Sequence, residues 1–244
     1  MERSDAVWKE AGLSKTFLKN VRGAIPFAAE QIDVMLRVLK EMTPAVERIL
    51  DLGCGDGVLG RSVLALHPAA RAVFVDFSDT MLDAAKKQLG DGARAEFIQQ
   101  DFGERRWVEA VRHRAPFDVI VSGFAIHHQN DERKREVYAE IFELLRPGGL
   151  FLNLEHVSSP TKRLEDIFET AFIDSLYAYH RLRGPAVGRE QVAAEFYNRP
   201  DKKANILAPV DLQCSWLREI GYEDVDCYFK FFEFALFGGR KPGS

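Results

Sequence analysis

Two rhythms of apolar and polar positions alternate along the chain. Short, nearly unbroken apolar runs occur at ERILDLG (47–53), RAVFVDFS (71–78), AEFIQQDF (95–102), FDVIVSGF (117–124) and GGLFLNLEHV (148–157), and they read as buried strands. Between them the apolar positions recur at helical spacing. EQIDVMLRVLKEM (30–42) places Ile32, Met35, Leu36 and Leu39 on one face, and Thr43-Pro44 ends it. A helix opens at Gly57 and runs through VLGRSVLALHP. DTMLDAAKKQLG (79–90) follows, with Ser78 or Asp79 as N-cap and Gly90 near its end. DERKREVYAEIFELLR (131–146) turns Val137, Ile141, Leu144 and Leu145 to one side. Strands alternating with helices across short loops predict a parallel sheet covered on both faces. The last stretch, YEDVDCYFKFFEFALFGGRK (222–241), has two β-rich runs with no helix between them, which predicts an antiparallel hairpin at the sheet edge.

Residues 158–210 break the alternation. RLEDIFETAFIDSLYAYHRL and REQVAAEFYN both carry helical spacing and many aromatics, in a segment the sheet itself does not require. Together with the N-terminal segment they read as a lid over a pocket, the alternative being extra packing. The expected architecture is therefore α/β, a doubly wound seven-stranded sheet with a C-terminal antiparallel hairpin and a helical insertion between strands 5 and 6. It forms one domain: an N-terminal helical cap (1–44), a sheet core (45–157), the lid (158–210), and a closing helix with the edge hairpin (211–244).

Composition narrows the class without naming a chemistry. The 244 residues are 46% hydrophobic and 29% charged, as in ordinary globular proteins. A net charge of −4 argues against a nucleic-acid or anionic-membrane partner. Cys54, Cys214 and Cys227 form neither a disulfide framework nor a metal-binding pair. MERSDAVWKEAGLSK has no apolar core of a signal peptide, and no run approaches the roughly 20 apolar residues that span a bilayer. A cytoplasmic protein is the expectation.

The first strand-to-helix turn, DLGCGDGVLG (51–60), admits two readings. From Gly55 it matches the G-x-G-x-x-G of dinucleotide-binding folds (Gly55, Gly57, Gly60). That frame starts two residues past the strand, and in the frame beginning at Gly53 the third glycine is Val58. Asp51 is also out of place beside a pyrophosphate, whereas it suits the ammonium of a methionine moiety. Asp76 ends the second strand, where an acid accepts hydrogen bonds from ribose hydroxyls. Phe77 and Met81 are placed to flank an adenine. Asp101 ends the third strand, placed for the adenine amino group, with Phe102 beside it.

Five stretches in order, ILDLGCGDG, VFVDFSDTML, FIQQDF, FDVIVSGFAIHH and LLRPGGLFLNLE, resemble the class I S-adenosylmethionine (SAM)-dependent methyltransferases across about residues 46 to 156. The closing hairpin with its reversed last strand belongs to the same form of the fold. The resemblance implies SAM as cofactor, S-adenosylhomocysteine as product, and contacts at Asp51, Gly53, Cys54, Gly55, Asp76, Phe77, Asp101, Phe102, Ser122 and Gly123. The flanks look like small-molecule methyltransferases and have a distant likeness to carboxy-SAM synthase. In that enzyme an arginine of the insertion holds a carboxylate, and Arg199 falls near the matching position. Arg22, on the N-terminal segment, is placed to close over the methionine carboxylate. A surface ion pair is the plain alternative for each arginine.

The fourth stretch reads Ser122-Gly123-Phe124-Ala125, without the proline pair of nucleic-acid amino-methyltransferases. A small-molecule acceptor is expected, with no nucleic acid, no membrane and no metal; a homodimer is left open. Methyl transfer asks mainly for alignment, and a base matters when the acceptor must lose a proton. His127, His156 and His180 are candidates for that base. Tyr177 and His180 in the insertion, with Arg199, are candidates for touching the acceptor. A non-methylating SAM enzyme and a SAM-binding protein without turnover are the competing readings.

Overall fold

The computed structural model describes residues 22–90, 94–183, 187–199, 202 and 204–243. A 3-10 turn, Arg22–Ala24, leads to helix α1 (Ala28–Met42). Next come β1 (Arg48–Leu52), α2 (Val58–Leu66), β2 (Arg71–Asp76), α3 (Asp79–Leu89), β3 (Ala95–Gln99), α4 (Trp107–Arg112) and β4 (Phe117–Gly123). A second 3-10 turn, Ile126–His128, precedes α5 (Asp131–Leu144) and β5 (Leu145–His156). The chain closes with α6 (Lys162–Arg183), α7 (Arg189–Asn198), α8 (Val210–Ile220), β6 (Glu223–Phe231) and β7 (Phe234–Arg240).

The seven strands among the described residues join one sheet in the order β3-β2-β1-β4-β5-β7-β6. The first five are parallel, and β7 runs antiparallel to β5 with Leu154 opposite Leu236. The expected hairpin therefore forms, with β7 inserted beside β5 and β6 at the edge. Between β1 and β4 the chain reverses its direction of winding, which opens a crevice at the carboxyl ends of these strands.

The apolar runs are explained by burial on both faces, since successive strand residues point to opposite sides. Leu50, Leu52, Val73, Val75 and Ile120 face Trp107, Tyr138 and Leu217 of α4, α5 and α8. Ile49, Phe74, Val119 and Val121 face Met35, Leu59 and Leu82 of α1, α2 and α3. A third cluster joins Phe168, Phe172, Leu176 and Phe196 of α6 and α7 to Ala24 and Phe234. Ser175 Oγ donates to Ala24 O at 2.7 Å, so the N-terminal turn and α6 are tied together. Among the described residues no helix is long and apolar enough to cross a membrane.

Local departures from the sequence expectation have identifiable causes. Helix α4 escapes a periodicity reading because six residues hold too little of a repeat; Trp107 anchors it, fully buried, with Nε1 donating to Glu140 Oε2 at 2.6 Å. Leu145 belongs to β5, where it pairs with Phe117, and the helix before it stops at Leu144. Ser78 occupies the N-cap of α3 without a side-chain cap bond; Asp76 Oδ1 accepts from Ser78 N instead, at 2.9 Å.

Gly60 lies in the first turn of α2, where a Cβ would sit 2.5 Å from Phe74 Cε1 and 2.9 Å from Asp51 Oδ2. Its role is close helix-to-strand packing. Gly60→Ala is expected to destabilise the fold by about 1–3 kcal/mol, read from urea unfolding. An unchanged midpoint would mean that this contact is not tight.

Candidate active site

The crevice is built first by the turn after β1. Gly53 (φ +65°) and Gly55 (φ +54°) both adopt left-handed backbone, which glycine tolerates without cost from a Cβ. A Cβ on Gly53 would meet Ala125 Cβ at 2.4 Å, whereas nothing lies within 4 Å of the Cβ position on Gly55. The turn thus packs closely on one side and is open at Gly55.

Three carboxylates at strand ends support it. Asp51, almost wholly buried, accepts from Gly60 N at 2.8 Å and so caps the start of α2. Asp76 holds the turn itself: Oδ2 accepts from Gly55 N at 2.9 Å while Oδ1 takes Ser78 N. Burial pushes the Asp76 carboxyl up to about 6, against the backbone donors that favour its ionised form. Asp101 accepts from Gly103 N at 2.8 Å just beyond β3. The backbone there is clamped from α5, since Arg133 donates Nε and Nη2 to Phe102 O at 3.1 and 2.7 Å. Arg133 is itself buried and paired with Glu136 and Glu140. The Cys54 thiol is buried, and burial raises it well above the ordinary thiol range, so it is neutral.

The cavity continues from this turn into an aromatic half formed by Phe124, Phe168, Phe172, Phe196 and Phe234. Polar groups enter at its floor. His127 Nδ1 lies 2.5 Å from Glu155 Oε1, and the backbone N–H groups of His127 and His156 donate to the same carboxylate at 3.0 and 2.9 Å. Burial pushes Glu155 up to about 7 and His127 well down, so both tend to the uncharged state. Asn205 borders the same cavity as His127. His156 Nε2 lies 2.9 Å from Glu233 Oε2, and Glu233 is itself buried. Nδ1 of His156 makes no hydrogen bond among the described residues. Arg199 borders the same cavity with its guanidinium 4.8 Å from the Phe196 ring centre. Among the described residues no group of three or more His, Cys, Asp and Glu side chains is arranged to hold a metal ion.

A family model described as "Methyltransferase domain" matches residues 49–149, which include the glycine turn, the three carboxylates and both strands of the crevice. Over that segment the chain is similar to the class I SAM-dependent methyltransferases. Among curated proteins, the carboxy-S-adenosyl-L-methionine synthase of Nautilia profundicola is 23% identical over 217 residues, covering 88% of this chain and 86% of that protein. The demethylmenaquinone methyltransferase of Leptospira interrogans is 32% identical over 107 residues, 44% of this chain and 42% of that protein. Among solved structures, human N-acetylserotonin methyltransferase in complex with SAM has the same fold, with a TM-score of 0.62 at 16% identity. That match covers 99% of this chain and 59% of the human one, so this chain spans about three fifths of its length.

Within this methyltransferase fold, the residues singled out from the sequence divide clearly. Asp51, Gly53, Cys54, Gly55, Asp76, Phe77, Met81, Asp101, Phe102, Gly123, His127, His156 and Arg199 border one cavity. Ser122 does not: it is fully buried, and its hydroxyl donates to Leu52 O at 2.8 Å, tying β4 to β1. Tyr177 and His180 are also outside the lining; Tyr177 lies under Arg181 and His180 against Tyr179. Arg22 begins the N-terminal 3-10 turn, and its side chain falls outside the described residues. Glu233 and Asn205 were not marked by the sequence. Glu155 had a signal, as an acid within an otherwise apolar strand.

Proposed function

We propose that the chain is a cytoplasmic methyltransferase that moves a methyl group from SAM to a small acceptor with an aromatic or otherwise apolar body. The observation that carries this reading is the continuity of one cavity from the glycine turn to the five-phenylalanine half. The residues fit SAM: Gly55 leaves open space at the turn, and Asp76 and Asp101 offer acceptors at adjacent strand ends. In this reading Asp76 takes the ribose hydroxyls, Asp101 the adenine amine, and Phe77 and Met81 flank the adenine. When bound, SAM supplies a methyl on a cationic sulfur that is already a good leaving group. The helices α6 and α7, with the N-terminal turn, act as the lid that excludes water from the acceptor.

Among the histidines, His156 is the base we assign. With Glu233 accepting from Nε2–H, the basic lone pair sits on Nδ1, ready for an acceptor proton. His127 is held by Glu155 and positions the floor of the site. A second reading is favoured by one observation: the carboxy-SAM synthase relatives align over most of the chain, while the menaquinone relative aligns over less than half. In that reading Arg199 meets a carboxylate. Mass spectrometry of the nucleoside product separates the two. Incubation with SAM and candidate acceptors is expected to yield S-adenosylhomocysteine and an acceptor heavier by one methylene. In a parallel incubation of SAM with carboxylic acids able to give up their carboxyl group, a nucleoside heavier than SAM would establish the second reading, and neither product in either incubation would argue for binding without turnover.

A further inference from the structure

The opposite ends of the same strands carry a second concavity of contrary character. It is bordered by Arg48, Arg71, Arg94, His113 and Arg114, with Glu96 as its acid. This concentration of arginine occurs in a chain whose net charge is −4. Arg48 and Arg71 are in-register partners at the starts of β1 and β2. Ala72 pairs with Ala95, and Ala72 N donates to Arg94 O at 2.9 Å, which sets Arg94 beside Arg71 at the start of β3. Three arginines therefore begin three neighbouring parallel strands, spaced by about 4.8 Å.

Like charges side by side across a sheet are destabilising, and such a row needs a reason. Among the described residues counter-charge does not supply it. Glu96 is committed to Arg114, at 2.6 Å from Nε, and to His113, at 3.3 Å from Nε2. Arg48 donates to the carbonyl of Ala115 at 3.4 Å. Among the described residues Arg71 and Arg94 pair with no carboxylate. An anion from outside would supply the missing partner. Guanidinium groups grip phosphate oxygens in pairs, and a row at this spacing fits consecutive phosphates better than a single one.

We propose that this concavity is a binding site for a small anion with two or more linked phosphates. It stands a strand length, about 15 Å, from the carboxylates of the crevice, so its occupancy is separate from the methyl-transfer chemistry. The probe is inorganic triphosphate, titrated calorimetrically into the whole chain at low ionic strength. Saturable binding with one ion per chain is expected. Arg71→Gln and Arg94→Gln are each expected to weaken it about tenfold or more. Arg37→Gln, a change in an exposed ion pair on α1, leaves it unaltered. Without the ion, the Gln variants melt at or above the parent temperature, because each removes a like-charged neighbour. Their affinity for S-adenosylhomocysteine is unchanged, which shows that the fold and the crevice are intact. No heat with triphosphate would overturn the proposal, as would equal binding by Arg71→Gln and Arg94→Gln, or sulfate competing at equal ionic strength as well as triphosphate does.

Discussion

Asp76→Ala is expected to weaken binding of S-adenosylhomocysteine by about 100-fold, because charge-assisted hydrogen bonds are worth about 1.5–3 kcal/mol each. The carboxylate does two things at once. It draws Gly55 N and Ser78 N to fixed positions, and it offers its remaining lone pairs to a ligand's hydroxyls. Asp76→Asn keeps one acceptor oxygen, which can hold Gly55 N or Ser78 N but not both, so its loss should be smaller, about tenfold. The two variants together separate collapse of the turn from loss of the ligand contact. A melting temperature that falls more in Asp76→Ala than in Asp76→Asn marks the structural share.

The same residue gives the affinity a pH dependence whose sign follows from its environment. In the free protein burial raises Asp76 from 3.8 to about 6. A group raised in this way stabilises the fold at pH values below its unfolded value, and that contribution is lost as the pH rises from about 4 to about 6. Ligand hydroxyls favour the ionised form and lower the value again. Binding is therefore expected to weaken as the pH falls below about 6 and to be level above about 7. An affinity flat from neutral pH down to about pH 5 would show that Asp76 does not meet the ligand.

The second large effect is expected at His156. His156→Asn should reduce kcat by about 100-fold or more for acceptors that lose a proton, which is the ordinary contribution of a positioned base. The KM for SAM should not change, since the ring lies in the aromatic half of the cavity. Glu233→Gln keeps a hydrogen-bonding group at Nε2 but removes the charge that holds the proton there. It should lower kcat less than His156→Asn does and shift the limb of the pH–rate profile that reports the base. If His156→Asn leaves kcat intact while His127→Asn abolishes it, the assignment of roles to the two rings is reversed.

These residues also show how much the sequence revealed. Asp51, Asp76 and Asp101 stood out because an acid at the end of a buried apolar run has few structural reasons to be there, and all three reach the crevice. The strands were readable because both faces of the sheet are covered, which leaves continuous apolar runs. Ser122 was not decidable in the same way: at a strand end, which neighbour a hydroxyl meets depends on the register of β4 against β1. Tyr177 and His180 share a helix with the lining residues Phe168 and Phe172. Which face of that helix turns inward is set by Tyr179 lying over Gly23, a contact between segments about 150 residues apart. Glu233 sits in a two-residue hairpin turn, where an acid is unremarkable until its distance to His156 is known. The Arg133 clamp on Phe102 O is likewise a tertiary fact, on the polar side of an ordinary amphipathic helix.

The central claim is that the turn from Asp51 to Gly57 and the carboxylates beside it form a SAM site. It is tested most directly by calorimetric titration of the whole chain with S-adenosylhomocysteine and, separately, with NAD. Saturable binding of S-adenosylhomocysteine, lost in Asp76→Ala, with no heat from NAD, is the predicted result. Binding of NAD without binding of S-adenosylhomocysteine would contradict the claim and restore the dinucleotide reading of Gly55, Gly57 and Gly60.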